Sequence, residues 1–301
     1  MTEPLAFVNG RFVPQSQAHL PLHDAGFVFG ATVTDLCRTF RYRLYRWTEH
    51  LARFRRSCQS TYVDVPFDDT TIKLRADELV AHNAALIDAN HDLGLVLFAT
   101  PGPVGYYLGA AISAGERPTF GMHTFALPFA RYRPWIERGA VLATPNVRQV
   151  PAVSVDPHIK QRSRMHWWLA EQEVRRTHPR ALALLLDLDG NVTETASANI
   201  LMVRDGTIIS PPRRGILEGV SLGVAAEICA RLNIPVEYRH VSLNDCYGAD
   251  EAMLTCTSFC LAGVRQINDR VIPWPGPMLR RLLEVWSVEV GMEIHRQILS
   301  A

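Results

Sequence analysis

The hydrophobic pattern opens with PLAFVNGRFVP, two short apolar runs divided by Asn9-Gly10. It predicts a hairpin, because asparagine and glycine accept the left-handed backbone of a tight turn. Helical spacing follows at Leu51, Phe54 and Cys58 in TEHLARFRRSCQS, which predicts a helix over residues 48–60 with Thr48 as N-cap. A second helix is expected over 70–89, with Ile72, Leu79 and Leu86 among its apolar positions, and then an apolar strand, GLVLFAT, closed by Pro101-Gly102. From Leu127 to Trp135 the run LPFARYRPW keeps neither period, and its two prolines predict a connector between lobes. VLATPNVRQVP opens the second part, and the spacing of Met165, Trp168 and Leu169 predicts a helix over 161–177 with those three on one face. The run ALALLLDLDGNVTETASANILMVRDGTIISPP is strand-rich, with hairpin signals at Asp189-Gly190 and Asp205-Gly206. GVSLGVAAEICARLN predicts a helix aligning Val220, Val224 and Ile228, then PVEYRHVSL, EAMLTCTS and GVRQIN read as strands before a last helix near 278–290. The expected class is α/β (α+β) with two lobes: a smaller N-terminal α/β lobe over 1–127, a connector over 128–134, and a larger, strand-rich lobe with helices over 135–301.

Composition narrows the function classes. With 48% hydrophobic and 20% charged residues and a net charge of +1, the chain is globular. Its densest basic group, Arg53, Arg55 and Arg56, is too small for a nucleic-acid footprint, so a small-molecule partner is expected. The start, MTEPLAFVNGRFVPQ, has no charged segment followed by an apolar one, and no apolar run reaches the length of a membrane span. A cytoplasmic protein with no membrane partner is the expectation. The cysteines at 37, 58, 229, 246, 256 and 260 read as buried free thiols. The close pair Cys256 and Cys260 has no nearby histidine, and no metal is expected.

Lysine occurs only at 73 and 160, and arginine fills every other basic position. A guanidinium cannot lose its proton in a protein and cannot form an imine with an aldehyde, whereas an amine can do both. Lys73, in TIKLRADEL, reads as an ordinary polar helix position. Lys160, in DPHIKQRSRM, stands just before the predicted helix, where rarity alone leaves a functional amine and a compositional accident both open.

The segments FVFGATVTDLCRTF, EHLARF, IKQRSRM, GNVTETASANILMV, GILEGVS and LTCTS, in that order over nearly the whole chain, resemble the fold-type IV pyridoxal-phosphate enzymes. That class contains branched-chain and D-amino-acid aminotransferases and aminodeoxychorismate lyases. The resemblance implies pyridoxal 5′-phosphate as cofactor, held through a Lys160 Schiff base, with Arg53 on its phosphate and Glu194 opposite its ring nitrogen. It implies Leu217 against the ring, Gly219, Val220 and Ser221 at the phosphate, and Thr257 and Ser258 as further phosphate contacts. Asn199 reads as a structural member of the Glu194 motif. A glycine-bearing loop before a helix suits an anion on physical grounds too, since amides at a helix N-terminus point outwards. The implied activity is transfer of an amino group from an amino acid or amine to a 2-oxo acid, by a homodimer. A pyruvate-releasing lyase and a catalytically silent phospholigand binder are the alternatives.

Substrate recognition departs from the relatives. The stretch GLVLFATPGPVGYYLG carries no arginine to grip a carboxylate, and Tyr106, Tyr107, Arg131 and Arg133 are the candidates to replace one. Thr34-Asp35 stands where many relatives have an aromatic followed by glutamate, Met165 where branched-chain enzymes have tyrosine, and Glu218 where proline is common. Thr34 and Met165 are expected on the substrate side.

Overall fold

Asn9 and Gly10, with φ of 48° and 91°, make the expected left-handed turn between β1 (Leu5–Val8) and β2 (Arg11–Pro14) in a computed structural model that describes residues 3–107 and 117–301. The chain divides into two compact units, Met1–Leu127 with Ile159–Arg164, and Pro128–His158 with Met165–Ala301. The first unit continues with α1 (Ala25–Val28), β3 (Val33–Phe40), β4 (Arg43–Leu44), α2 (Trp47–Ser60), α3 (Asp69–Ala84), β5 (Leu93–Thr100) and β6 (Thr119–Ala126). Its strands form one antiparallel sheet in the order β2-β1-β6-β5-β3-β4. The apolar stripe of α2, Trp47, Leu51, Phe54 and Cys58, packs with Val33, Cys37, Leu95, Leu97 and Phe120 into one buried core.

Thr48 is not the cap of α2. Arg46, held left-handed at φ 54°, precedes a helix that starts at Trp47 with no side-chain cap, because the buried Trp47 already belongs to its inward stripe. Helix α3 starts where Asp68 accepts the Thr71 N–H and stops at Ala84, leaving Leu86 outside it and exposed. Asn83 exchanges hydrogen bonds with the Leu5 backbone, which draws the end of the helix onto β1.

The second unit contains α4 (Phe129–Arg138), β7 (Ala140–Ala143), α5 (Met165–Thr177), β8 (Leu182–Leu186), β9 (Val192–Thr195), β10 (Asn199–Arg204), β11 (Thr207–Ser210), α6 (Val220–Arg231), β12 (Val236–Tyr238), α7 (Leu243–Tyr247), β13 (Glu251–Cys256), β14 (Cys260–Ile267), β15 (Arg270–Val271), α8 (Pro277–Val290) and α9 (Ile294–Ser300). Its strands run β12-β11-β10-β13-β14-β7-β8-β9, and a further pairing of β9 with β10 joins six of them into a closed ring. The hairpins at Asp189-Gly190 and Asp205-Gly206 both form.

Two sequence readings are corrected here. The units part at Leu127 and Pro128, but residues 129–134 are helical and not irregular, forming the start of α4, which contains Pro134. Phe129 is buried, and the rings of Tyr132 and Trp135 pack on Phe259, so tertiary contact holds a helix that the proline signal had argued against. Helix α5 starts at Met165, not Gln161, and its buried face is Trp167, Ala170 and Val174. Met165, Trp168 and Leu169 are 69%, 60% and 50% exposed in the chain. The six cysteines are free thiols, five buried and Cys256 half-buried. Among the described residues no helix is long and apolar enough to cross a membrane.

Candidate active site

In the second unit, the β9–β10 closure places Glu194 opposite Asn199, and the next pairing places Asn199 opposite Thr255. Directly opposed residues share a sheet face, so an acid, an amide and a hydroxyl form a row across three strands. Glu194 is not an exposed strand charge: it is 8% exposed and accepts the Leu217 N–H at 3.1 Å and an Asn199 Nδ2 hydrogen at 3.0 Å. The other Asn199 Nδ2 hydrogen goes to the Leu217 carbonyl at 2.9 Å. Both backbone groups of Leu217 are therefore clamped, which fixes the loop entering α6 and gives Asn199 a structural role.

That loop ends at Gly219, the N-cap of α6, which supplies no side-chain hydrogen bond to the helix start. The first-turn amides of an α-helix have no partner within it, so Val220, Ser221 and the following residue present N–H groups to an anion. A Cβ on Gly219 would lie 2.3 Å from Asn199 Oδ1, so only glycine lets the loop run this close to β10. Thr257 and Ser258 occupy the β13–β14 turn, with Ser258 buried. Thr255, two residues earlier, escaped the sequence reading. Its Oγ1 is buried without a hydrogen-bond partner, and strand alternation from Thr257 was the signal that could have found it.

In the first unit, Lys160 lies in an extended segment rather than at a helix start. Gln161 bridges Val33 antiparallel, the Lys160 carbonyl accepts the Thr34 N–H at 2.9 Å and the Arg162 N–H donates to the Thr32 carbonyl at 2.8 Å. The Lys160 N–H donates to Ser57 Oγ at 3.1 Å. Its backbone is held by β3 on one side and α2 on the other. One turn before Ser57, Arg53 is 4% exposed, which excludes a solvated helix charge. Its Nε and Nη2 donate to Asp35 at 2.8 and 2.9 Å, and His50 Nδ1 lies 2.7 Å from the same carboxylate. Burial alone would raise the Asp35 pKa, but the Arg53 charge and the His50 hydrogen bond outweigh it and hold the carboxyl far below its usual value. Burial lowers the pKa of His50 and keeps the ring neutral, against the pull of Asp35, with the Arg53 and Lys160 charges adding to the lowering. The Asp35–His50 part of this cluster was missed. Its signal is the inward alternation Val33, Asp35, Cys37, which puts one carboxylate among apolar neighbours.

The substrate candidates scatter. Thr34 is buried on β3, its hydroxyl donating to the Leu97 carbonyl, while Met165 is exposed at the start of α5. Tyr106 is exposed in a 3₁₀ turn over Gly105–Tyr107, and the Tyr107 side chain lies outside the described residues. Arg131 and Arg133 belong to α4 in the second unit, where Arg133 donates to the carbonyl of the terminal Ala301. Glu218 is exposed beside Arg213, and Lys73 makes an exposed pair with Asp77 one turn on. Among the described residues no cluster of histidine, cysteine and carboxylates is arranged to hold a metal ion.

The pattern of the family described as amino-transferase class IV matches residues 32–267. A branched-chain-amino-acid aminotransferase-like protein of Arabidopsis thaliana is 26% identical over 94% of the chain and 50% of its own length, so the chain spans about half of that relative. The D-alanine aminotransferase of Bacillus licheniformis is 25% identical over 91% of the chain and 93% of its own length. A branched-chain amino acid aminotransferase of a T.th. strain, solved with pyridoxamine 5′-phosphate, superposes with a TM-score of 0.82 at 24% identity, covering 96% of this chain and 94% of that one. That likeness gives the fold, and it is the α/β class expected from the sequence.

Proposed function

The chain belongs to the class IV aminotransferases, and from that premise we propose that it binds pyridoxal 5′-phosphate and moves an amino group from an amino acid or amine to a 2-oxo acid. The observation that carries this reading is the contrast between the two lysines. Lys73 sits in an exposed helix pair, whereas the Lys160 backbone is pinned between β3 and α2. When bound, the cofactor supplies an aldehyde for amines and a ring that accepts electrons from the substrate.

Within each unit the donors suit such a group. Lys160 would hold the cofactor through Nζ, and the same amine, once freed, would serve as the base at the substrate α-carbon. Glu194, buried and fixed by Asn199 and Leu217, would keep the ring nitrogen protonated. In the second unit the α6 amides at Val220 and Ser221, the Ser221 hydroxyl, Thr257 and Ser258 would take the phosphate, and the resemblance adds Arg53 of the first unit. Leu217, its backbone clamped, offers a fixed apolar contact for the ring, and the unsatisfied Thr255 hydroxyl in the Glu194 row is a further polar group such a ligand completes.

The test is a panel of amino donors given to purified protein loaded with pyridoxal phosphate. Each active donor should shift the cofactor absorbance and yield its oxo product in equal amount, and a 2-oxo acid should restore the starting spectrum. Pyruvate released beyond one equivalent of cofactor with no acceptor, or no chromophore at all, would overturn the reading. Gly219→Ala should bind pyridoxal phosphate about tenfold more weakly, the loss of roughly one hydrogen bond's worth of fit as Asn199 gives way; equilibrium dialysis measures it.

We further propose that the working form is a homodimer acting on small molecules. The exposed Met165, Trp168 and Leu169 face supports this. Sedimentation should give twice the chain mass for the wild type, and Trp168→Glu should shift it towards the monomer.

A further inference from the structure

We propose that Arg162 is the group that receives the substrate carboxylate, and that it thereby selects amino acids over amines that lack one. The inference rests on the aminotransferase reading above. Strand β5 and the described residues after it, up to Tyr107, carry no arginine. Two residues beyond Lys160, on the same bridge along β3, the Arg162 N–H is fixed to the Thr32 carbonyl and its Nη2 lies 3.5 Å from Thr34 Oγ1. Thr34 spends its hydroxyl hydrogen on the Leu97 carbonyl, so its oxygen is left to face the guanidinium as an acceptor. Thr34 is opposite Phe98, Phe98 is opposite Gly121, and His123 is two residues on. Thr34 and His123 therefore share one face of the sheet, and the Arg162 charge reaches that histidine, adding to the burial that lowers its pKa.

Crowding by protein atoms lowers the pKa of Arg162 itself through desolvation, yet the side chain is open to solvent. Among the described residues it pairs with no aspartate or glutamate. Several other arginines of the first unit do, among them Arg38 with Asp92, Arg46 with Glu49, Arg53 with Asp35, Arg55 with Asp69 and Arg75 with Glu78. A guanidinium held in place, partly stripped of water and lacking a counter-ion is completed by a carboxylate, which it grips through two parallel N–H bonds. Arg133, one of the sequence candidates, belongs to α4 of the second unit, where Nη2 donates to the Ala301 carbonyl and Nε is buried.

The test compares holoenzymes of wild type, Arg162→Gln and Arg162→Lys on both enantiomers of alanine and leucine, and on the amines of the same side chains without the carboxylate. Arg162→Gln should lose about 100-fold in kcat/KM for the amino acids, mainly through KM, as expected for a charge-assisted pair, with the amines unaffected. Arg162→Lys should recover part of the loss. Calorimetric binding of hexanoate, an unreactive carboxylate, should weaken in parallel, while the melting temperature stays at the wild-type value. An unchanged amino-acid to amine ratio, or unchanged hexanoate binding, in Arg162→Gln would overturn the proposal. Wild-type holoenzyme that turns over neither kind of donor would instead overturn the aminotransferase reading, and the hexanoate titration would still judge Arg162.

Discussion

Lys160→Ala is expected to lose amine transfer by more than about 10⁴-fold, because one side chain supplies both the covalent attachment and the base. Borohydride treatment should add the cofactor mass to the wild-type protein and not to the variant, and mass spectrometry reads the difference. In single-turnover absorbance measurements the variant should accept a donor without removing its α-proton. Arginine at 160 should be as inactive as alanine, since a guanidinium keeps its proton and forms no imine. Lys73→Arg is the control: its exposed pair with Asp77 contributes less than about 0.5 kcal/mol, and neither activity nor melting should change. Turnover by Lys160→Ala at the wild-type rate would remove this residue from the chemistry.

The lysine could be picked out from sequence because an arginine-rich chain makes its exceptions visible, and the pinned backbone around residue 160 separates it from Lys73. The hairpins were legible for a local reason: Asn9-Gly10 and Asp205-Gly206 all adopt positive φ, which few other residues tolerate. What failed to show was set by distant residues. Pro134 masks α4, whose aromatic stripe finds Phe259 far along the chain. The apolar residues Met165, Trp168 and Leu169 suggested the buried face of α5, yet the face that packs carries Trp167, Ala170 and Val174, and hydrophobicity cannot separate two such faces. At the candidate site, Glu194 was visible as the one charge in an uncharged run. Its row-mate Thr255 was not, since the row depends on strand register. Arg162 was hidden by the expectation that a helix begins at Gln161, although the residues there are extended along β3.

Asp35→Asn is expected to destabilise the first unit by about 3–5 kcal/mol, because it leaves the buried Arg53 guanidinium without its counter-charge. Asp35→Glu keeps the charge and should recover part of the loss, less the cost of fitting an added methylene into a fully buried site. The wild type should show the origin of this stability in its pH dependence. Between the depressed folded-state pKa of Asp35 and its ordinary 3.8, only the unfolded chain binds a proton there, so stability rises with pH. That contribution is complete above 3.8 and is lost as pH falls through the folded value. His50 acts in the same direction at higher pH. Its folded-state pKa lies below 6.5, the unfolded chain takes up the proton first, and stability begins to fall as pH drops through 6.5. Chemical-denaturation midpoints followed from neutral pH to about pH 3 should therefore decline in two stages. His50→Asn should shrink the upper stage, to which the lowered pKa values of His123 and His295 also contribute, and Asp35→Asn should shrink the lower one, shared with Asp68 and Asp245, from an already lowered curve. An Asp35→Asn midpoint equal to wild type at neutral pH would mean that the cluster contributes no net stability, and that Arg53 is held by other contacts.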